Sequence, residues 1–161
     1  MDSAPIALFL STTYPSLPLS LTSAHGAQIE RLARSIIGVA IRASIMPREP
    51  SILSPRSAAY FRATREAALG HSLEELLEGD REEEAWRGVE DGVREVDRLI
   101  LENRVEGSYV LGGGVSATDF FVAGAMQAAR VVHEGTWRRL MEFEGFKGVY
   151  EGCVEWMEWE D

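Results

Sequence analysis

The sequence predicts an all-α protein, a helical bundle wrapped around one buried central helix. Three observations carry this. Apolar residues recur at spacings of three and four over most of the chain, the period of one helix face. Segments rich in Val, Ile and Thr with strict alternation, the mark of strands, are absent. Serine, proline and glycine punctuate the periodic stretches where helices start and stop.

Residues 2–13 predict a short helix that ends before Tyr14-Pro15. Residues 14–22 read as a linker, because Pro15 and Pro18 break "YPSLPLSL". A long helix comes next, with Ile29, Leu32, Ile36, Val39 and Ala43 in one stripe. "MPREP" stops it at about Met46. Ser54-Pro55 opens the next helix, with serine as cap and proline in the first turn. That helix carries "RSAAYFRATREAALG". Ser72 and Glu75 form a capping box for the further turn or two of "SLEELLEG". From Glu82 to about Asn103, a second stripe runs through Trp86, Val89, Val93, Val96 and Ile100. Ser116 opens a helix that is apolar on most sides, "FFVAGAMQAARVV", the pattern of a helix buried in the middle of a domain. Two shorter helices, around "TWRRLMEF" and "GFKGVYEGCVEWMEW", close the chain.

A length of 161 residues suits one compact domain with a sizeable core. The formal net charge is −10, and the arginines are scattered beside acids. Such a surface argues against nucleic acid and anionic membranes as partners. No apolar run approaches the length of a membrane span. The start, "MDSAPIALFL", lacks the basic flank and long apolar run of a secretory leader. Cys153 is the one cysteine, so no disulfide framework is available within the chain, and it reads as a buried structural residue. The expectation is a cytoplasmic protein. His25, His71 and His133 lie far apart in the sequence and form no ligand pattern, so no metal is expected.

"VLGGGVSATDF", Val110–Phe120, sets three glycines before a helix and admits two readings. A phosphate loop needs GxGxxG spacing or a GK[ST] ending, and neither is present. A helix-entry device explains more residues. Ser116 caps the helix, Asp119 bonds back to the cap N–H, and Val115 and Phe120 are placed for a hydrophobic staple. The glycines let the chain turn tightly into the helix.

"VLGGGVSATDFFVAGAMQAARVV" resembles the folding motif of the C-terminal helical domain of glutathione transferases. "SPRSAAYFRATREAALGHSLEELLEG" looks like the middle of the etherase-like and fungal members. "MDSAPIALFLSTTYPSLP" resembles the end of the family's first domain, where an acidic residue and a serine open a helix that finishes at a Tyr-Pro linker. The resemblance implies that residues 1–13 are the remnant last helix of a thioredoxin-like domain. Residues 14–22 are then the linker, and 23–161 the C-terminal helical domain. It also implies that the family's catalytic Ser, Cys or Tyr lies upstream of Met1, so the chain is a truncated form with no catalytic residue of its own.

By the same resemblance, Asp2 and Ser3 are the remnant of the site for the γ-glutamyl end of glutathione. A helix N-terminus offers N–H groups to a carboxylate, and an aspartate pairs the ammonium; a plain N-cap is the alternative. The end of the first long helix faces the substrate cleft in the family, which makes Arg42, Ile45 and Met46 pocket candidates. Tyr60 and Phe61 are candidates for the pocket wall, with Arg65 and Glu66 for a polar contact. Ordinary packing, with Arg62 and Glu66 as an i,i+4 pair, is the other reading of that helix. The implied function is the hydrophobic-substrate half of a glutathione S-transferase. Completed by a thioredoxin-like half, it transfers glutathione to a hydrophobic electrophile or cleaves an ether. The alternative is a non-catalytic interaction module, with a second copy or another protein as partner.

Overall fold

A computed structural model describes residues 3–14, 23–102 and 107–157. It is all-α. The helices are α1 (Ser3–Thr13), α2 (Ala24–Leu32), α3 (Gly38–Ile45), α4 (Pro55–Leu69), α5 (Arg81–Leu101), α6 (Ala117–Val132), α7 (Glu134–Met141) and α8 (Glu144–Gly152). Short 3-10 turns occupy Glu49–Ile52, Glu74–Leu77 and Val154–Trp156. No strand occurs among the described residues beyond one isolated bridge, Tyr109 to Gly112. None of these helices is long and apolar enough to cross a membrane. Asp2 and residues 15–22 lie outside the described residues, and Ser3 is the first residue of α1.

Helix α5 is the spine. Its stripe of Trp86, Val89, Val93, Val96 and Ile100 is buried throughout. Around it, α2, α3, α8 and the turn before α3 bring Ile29, Ala40, Phe146, Val149 and Ile37 into one core, which α6 joins through Val122, Ala123 and Met126. Each of the larger side chains contributes about 1.5–3 kcal/mol by leaving water.

The first long helix differs from expectation in register. Ala33–Ile37 forms a π turn between α2 and α3. A π turn takes up one extra residue, so every later position rotates relative to a regular helix. Ile37, Ala40 and Ser44 therefore face the core, while Val39, expected in the stripe, is 51% exposed. The turn sits where α5 approaches closely: a Cβ at Gly92 would lie 2.1 Å from Cγ2 of Ile36.

Helix α6 is buried on one face only. Thr118, Asp119, Val122, Ala123, Met126 and Ala129 point inward, but Val131 is 59% exposed and Phe120 turns its ring edge-on to Trp156 at 5.4 Å. Apart from Gln127 and Arg130, the outer face carries small and apolar residues, so the sequence pattern reads as burial on most sides. Ser72 and Glu75 also depart from expectation. The Glu75 carboxylate accepts from the Ser72 N–H (3.0 Å), but the element it opens is the 3-10 turn Glu74–Leu77, with no side-chain cap.

Two elements stand outside the core. Helix α4 buries no residue completely and ends at Gly70, whose φ of +77° suits glycine. Helix α1 leaves Ile6, Leu8, Phe9 and Leu10 exposed.

Candidate functional site

The α3–α4 corner builds a cleft. Pro47 and Pro50 end α3 and reverse the chain, and Ser54 restarts it as α4 by accepting the Ser57 N–H at 3.3 Å. Between the two helices lies an open cleft of about 540 Å3. Its apolar wall is Ile41, Ile45, Met46, Phe61 and Leu69, with Arg42, Glu49 and Arg65 also lining it. The far side of α4 is tied down by Arg62, which donates to Glu66 (3.0 Å) and Glu74 (2.7 Å). Glu66 also accepts the Leu73 N–H at 3.2 Å. Those bonds leave the Phe61 and Arg65 face to the cleft. The Arg65 guanidinium lies over the Phe61 ring, 5.2 Å from its centre. Burial pushes the Glu49 carboxyl above its ordinary value, and the charge of Arg65 partly opposes it.

Of the sequence candidates, Arg42, Met46 and Phe61 meet in this cleft, as does Ile45. Tyr60 does not line it: one position from Phe61, it points away and is 73% exposed. Sequence reasoning misses Glu49. Its only signal is an acid inside a proline-rich corner, and its relation to Arg65 is tertiary.

The glycine loop before α6 is a helix-entry device. Asp119 is fully buried and accepts three hydrogen bonds: from the Val110 N–H (2.8 Å), the Ser116 N–H (2.8 Å) and the Ser116 hydroxyl (2.6 Å). The Ser116 Oγ accepts the Asp119 N–H in return, at 3.4 Å, completing the capping box. Gly112 has φ +88°, and a Cβ at Gly107 would sit 2.5 Å from the Gly112 carbonyl. The N–H groups of Val110 and Ser116 are engaged by Asp119, so they are not free to cradle a phosphate.

A polar clamp locks α3 to α5. Arg48 makes two hydrogen bonds to Glu82 (2.9 and 3.1 Å) and another to the Ser44 carbonyl. The buried Trp86 indole donates to Ser44 Oγ at 2.8 Å. Burial pushes the Glu82 carboxyl up, but bonds from Arg48 and Ser44 and the charge of Arg48 outweigh it and hold it low. His133, at the α6–α7 corner, is held below its ordinary value of 6.5 by burial and by repulsion from Arg48; Glu82 opposes both. Its Nδ1 lies 2.9 Å from Thr136 Oγ1.

Both depressed values act on stability in the same sense. Unfolded His133 takes up its proton near 6.5, before the folded form does, so stability is full above that pH and falls as pH drops through the folded value. Glu82 adds a second loss below 4.5, while the raised Glu49 acts in the opposite sense. The expected result is a lower urea midpoint at pH 5.5 than at pH 7.5, a range in the titration window of histidine. His133→Gln should flatten that difference; an unchanged difference would contradict the assignment.

Cys153 is buried, and burial followed by the charges of Asp119 and Glu155 pushes its thiol up to about 12. It is not a nucleophile at neutral pH. Among the described residues, no group of three His, Cys, Asp or Glu is placed to hold a metal ion.

Comparison with known proteins places this geometry. Residues 24–149 match the family model described as "Glutathione S-transferase, C-terminal domain". The glutathione S-transferase-like protein ustS of Aspergillus flavus is 28% identical over 170 aligned positions, covering 98% of this chain and 61% of the relative. The chain therefore spans about three fifths of that relative's length. Glutathione transferase GSTFuA3 of Phanerochaete chrysosporium has a TM-score of 0.81 and 28% identity, over 99% of this chain and 66% of its own. The glutathione S-transferase CsGST63524 of Ceriporiopsis subvermispora, solved in complex with glutathione, shares the fold with a TM-score of 0.84 at 23% identity, over 99% of this chain and 67% of its own.

Proposed function

This chain belongs to the glutathione S-transferase family through its C-terminal domain, and from that premise we propose that its helical bundle supplies the hydrophobic-substrate wall of a glutathione transferase. The observation that carries the reading is the cleft where Met46 and Phe61 meet across two helices. In this reading the thiolate chemistry belongs to a thioredoxin-like unit, of which residues 1–13 are the last helix and 14–22 the linker. Asp2 and Ser3 would then meet the γ-glutamyl end of glutathione. The helical domain holds the electrophile and excludes water; the glutathione sulfur attacks it, a halide or an alkoxide leaves, and the thiol proton passes to solvent.

The test joins the chain to the part of GSTFuA3 that it does not cover and measures glutathione conjugation to chlorodinitrobenzene. Met46→Ala and Phe61→Ala should each raise the KM for the electrophile by roughly five- to tenfold, as expected for removal of a large apolar contact. The KM for glutathione should not move. An unchanged electrophile KM in both variants would overturn the assignment of the cleft.

The exposed apolar residues of α1 and α6 support a second reading, a non-catalytic interaction module. Leu8, Phe9 and Val131 are each about 60% exposed and are available to a docking partner. A chain that sediments as a monomer at all concentrations would count against self-association through them.

A further inference from the structure

We infer that the cavity between α5 and the end of α7 binds a small zwitterion with an apolar ring, an aromatic amino acid, with its carboxylate on Arg87 and its ammonium on Glu142. The cavity shares no lining residue with the α3–α4 cleft and does not depend on how that cleft is read. Its volume is about 250 Å3. Drug-sized ligands occupy pockets of about 300–1,000 Å3, so this one suits a single-ring molecule.

Trp86, Val93 and Phe143 form its apolar side. Trp86 is a fixed surface. Its indole N–H donates to Ser44 Oγ at 2.8 Å, and the Arg139 guanidinium lies over its ring, 5.0 Å from the centre. Val93 is buried in the core beside it. A ring that enters the cavity therefore meets a floor that is already in place, and no side chain has to be ordered to receive it.

Six charged residues complete the lining, three of each sign: Glu83, Glu90 and Glu142 against Arg87, Arg94 and Arg139. Two pairs are closed, Arg139 with Glu83 at 2.7 Å and Arg94 with Glu90. Arg87 and Glu142 remain, one on α5 and the other at the end of α7, and neither makes a hydrogen bond or ion pair among the described residues. Their helical neighbours do not serve them. Glu83 and Glu90 stand at the pairing distances from Arg87 along α5, but they are taken by Arg139 and Arg94. Glu84 and Asp91, the other acids at those spacings, make no ion pair with Arg87 either. Arg138 and Arg139 stand at the same distances before Glu142, but they serve Glu134 and Glu83. A ligand with one charge would leave Arg87 or Glu142 open. A zwitterion closes both with charge-assisted bonds while its ring covers the apolar side. The lining sums to zero charge, which favours a ligand of zero net charge.

The test follows the Trp86 indole N–H resonance of the full chain in nitrogen–proton correlation spectra, identified by its loss in Trp86→Phe. The probes are L-phenylalanine, hydrocinnamate, which lacks the ammonium, and phenethylamine, which lacks the carboxylate. Phenylalanine should shift the resonance saturably and bind at least about tenfold tighter than either analogue, the effect of one charge-assisted contact. L-Alanine keeps both charges without the ring and should also bind at least about tenfold more weakly. Arg87→Ala should bring phenylalanine down to the level of phenethylamine and leave phenethylamine within about twofold. Glu142→Gln should bring it down to the level of hydrocinnamate and leave hydrocinnamate within about twofold. Both substituted residues are exposed, and circular dichroism checks that the variants fold. A match to phenylalanine by either analogue, or by alanine, would overturn the ligand class. Equal weakening of all probes in the folded variants would overturn the roles of Arg87 and Glu142. If no probe moves the resonance, the cavity is not a ligand site, and the reading of the α3–α4 cleft is untouched.

Discussion

Asp119→Ala is expected to cost about 4 kcal/mol of folding stability and to lower Tm by roughly 10 °C, at the 2–4 °C per kcal/mol usual for a domain of this size. The carboxylate is completely buried and serves three donors, two on the Ser116 cap and one on Val110. Ser116 and Val110 are themselves fully buried. Truncation therefore removes three charge-assisted bonds and strands their donors away from water. Each stranded donor costs about 1–3 kcal/mol, less than additively because the loop relaxes. Ser116→Ala is milder, about 1 kcal/mol, since it removes one capping side chain and leaves the carboxylate on two backbone N–H groups. Guanidinium unfolding of both variants gives the comparison. A loss below about 1 kcal/mol for Asp119→Ala would mean that water replaces the carboxylate, and the device would then be a local cap only.

That device shows what the sequence could reveal. Ser-x-x-Asp before an apolar run is a local pattern, and local patterns survive in one dimension. The bond from Asp119 to Val110 is not local: it spans the glycine loop and turns a helix cap into a loop anchor. The register of the first long helix is hidden for a related reason. Ile29, Leu32 and Ile36 keep a regular period, and nothing in the letters announces a π turn at Ala33–Ile37. The period alone therefore puts Val39 in the core, yet Val39 is exposed, while Ser44, a polar residue, is buried to receive the Trp86 indole. The cleft is half legible. Arg42, Met46 and Phe61 stand out as residue types at helix ends, but only the chain reversal at Pro47 and Pro50 decides that Phe61 faces inward and Tyr60 outward. The charge of Arg65 acting on Glu49 is a tertiary relation and has no sequence signature.

Gly145→Ala sets two effects of opposite sign against each other. Helix propensity alone would make alanine in α8 more stable by up to about 1 kcal/mol. Packing opposes this. A Cβ at Gly145 would lie 2.7 Å from the Asp97 carboxylate oxygen, 2.9 Å from the Asp97 carbonyl and 3.1 Å from the Ile100 Cβ. The carbonyl and the Cβ belong to the frame of α5 and cannot swing aside, so α8 as a whole must move. Moving it lengthens the bonds by which Asp97 caps α8, from the Gly145 N–H (2.8 Å) and the Phe146 N–H (3.2 Å). Overpacking of this kind costs about 1–3 kcal/mol, and a strained cap adds about 1 kcal/mol. Sterics therefore wins, with an expected net loss of about 2–3 kcal/mol. Gly88 in α5 provides the matched control, because a Cβ there meets nothing within 4 Å. Gly88→Ala should gain up to about 1 kcal/mol from propensity. Chemical denaturation of the two variants separates the effects: if both substitutions stabilise, α8 does not approach α5 as closely as these distances require, and the Phe146 edge of the core is looser than its burial indicates.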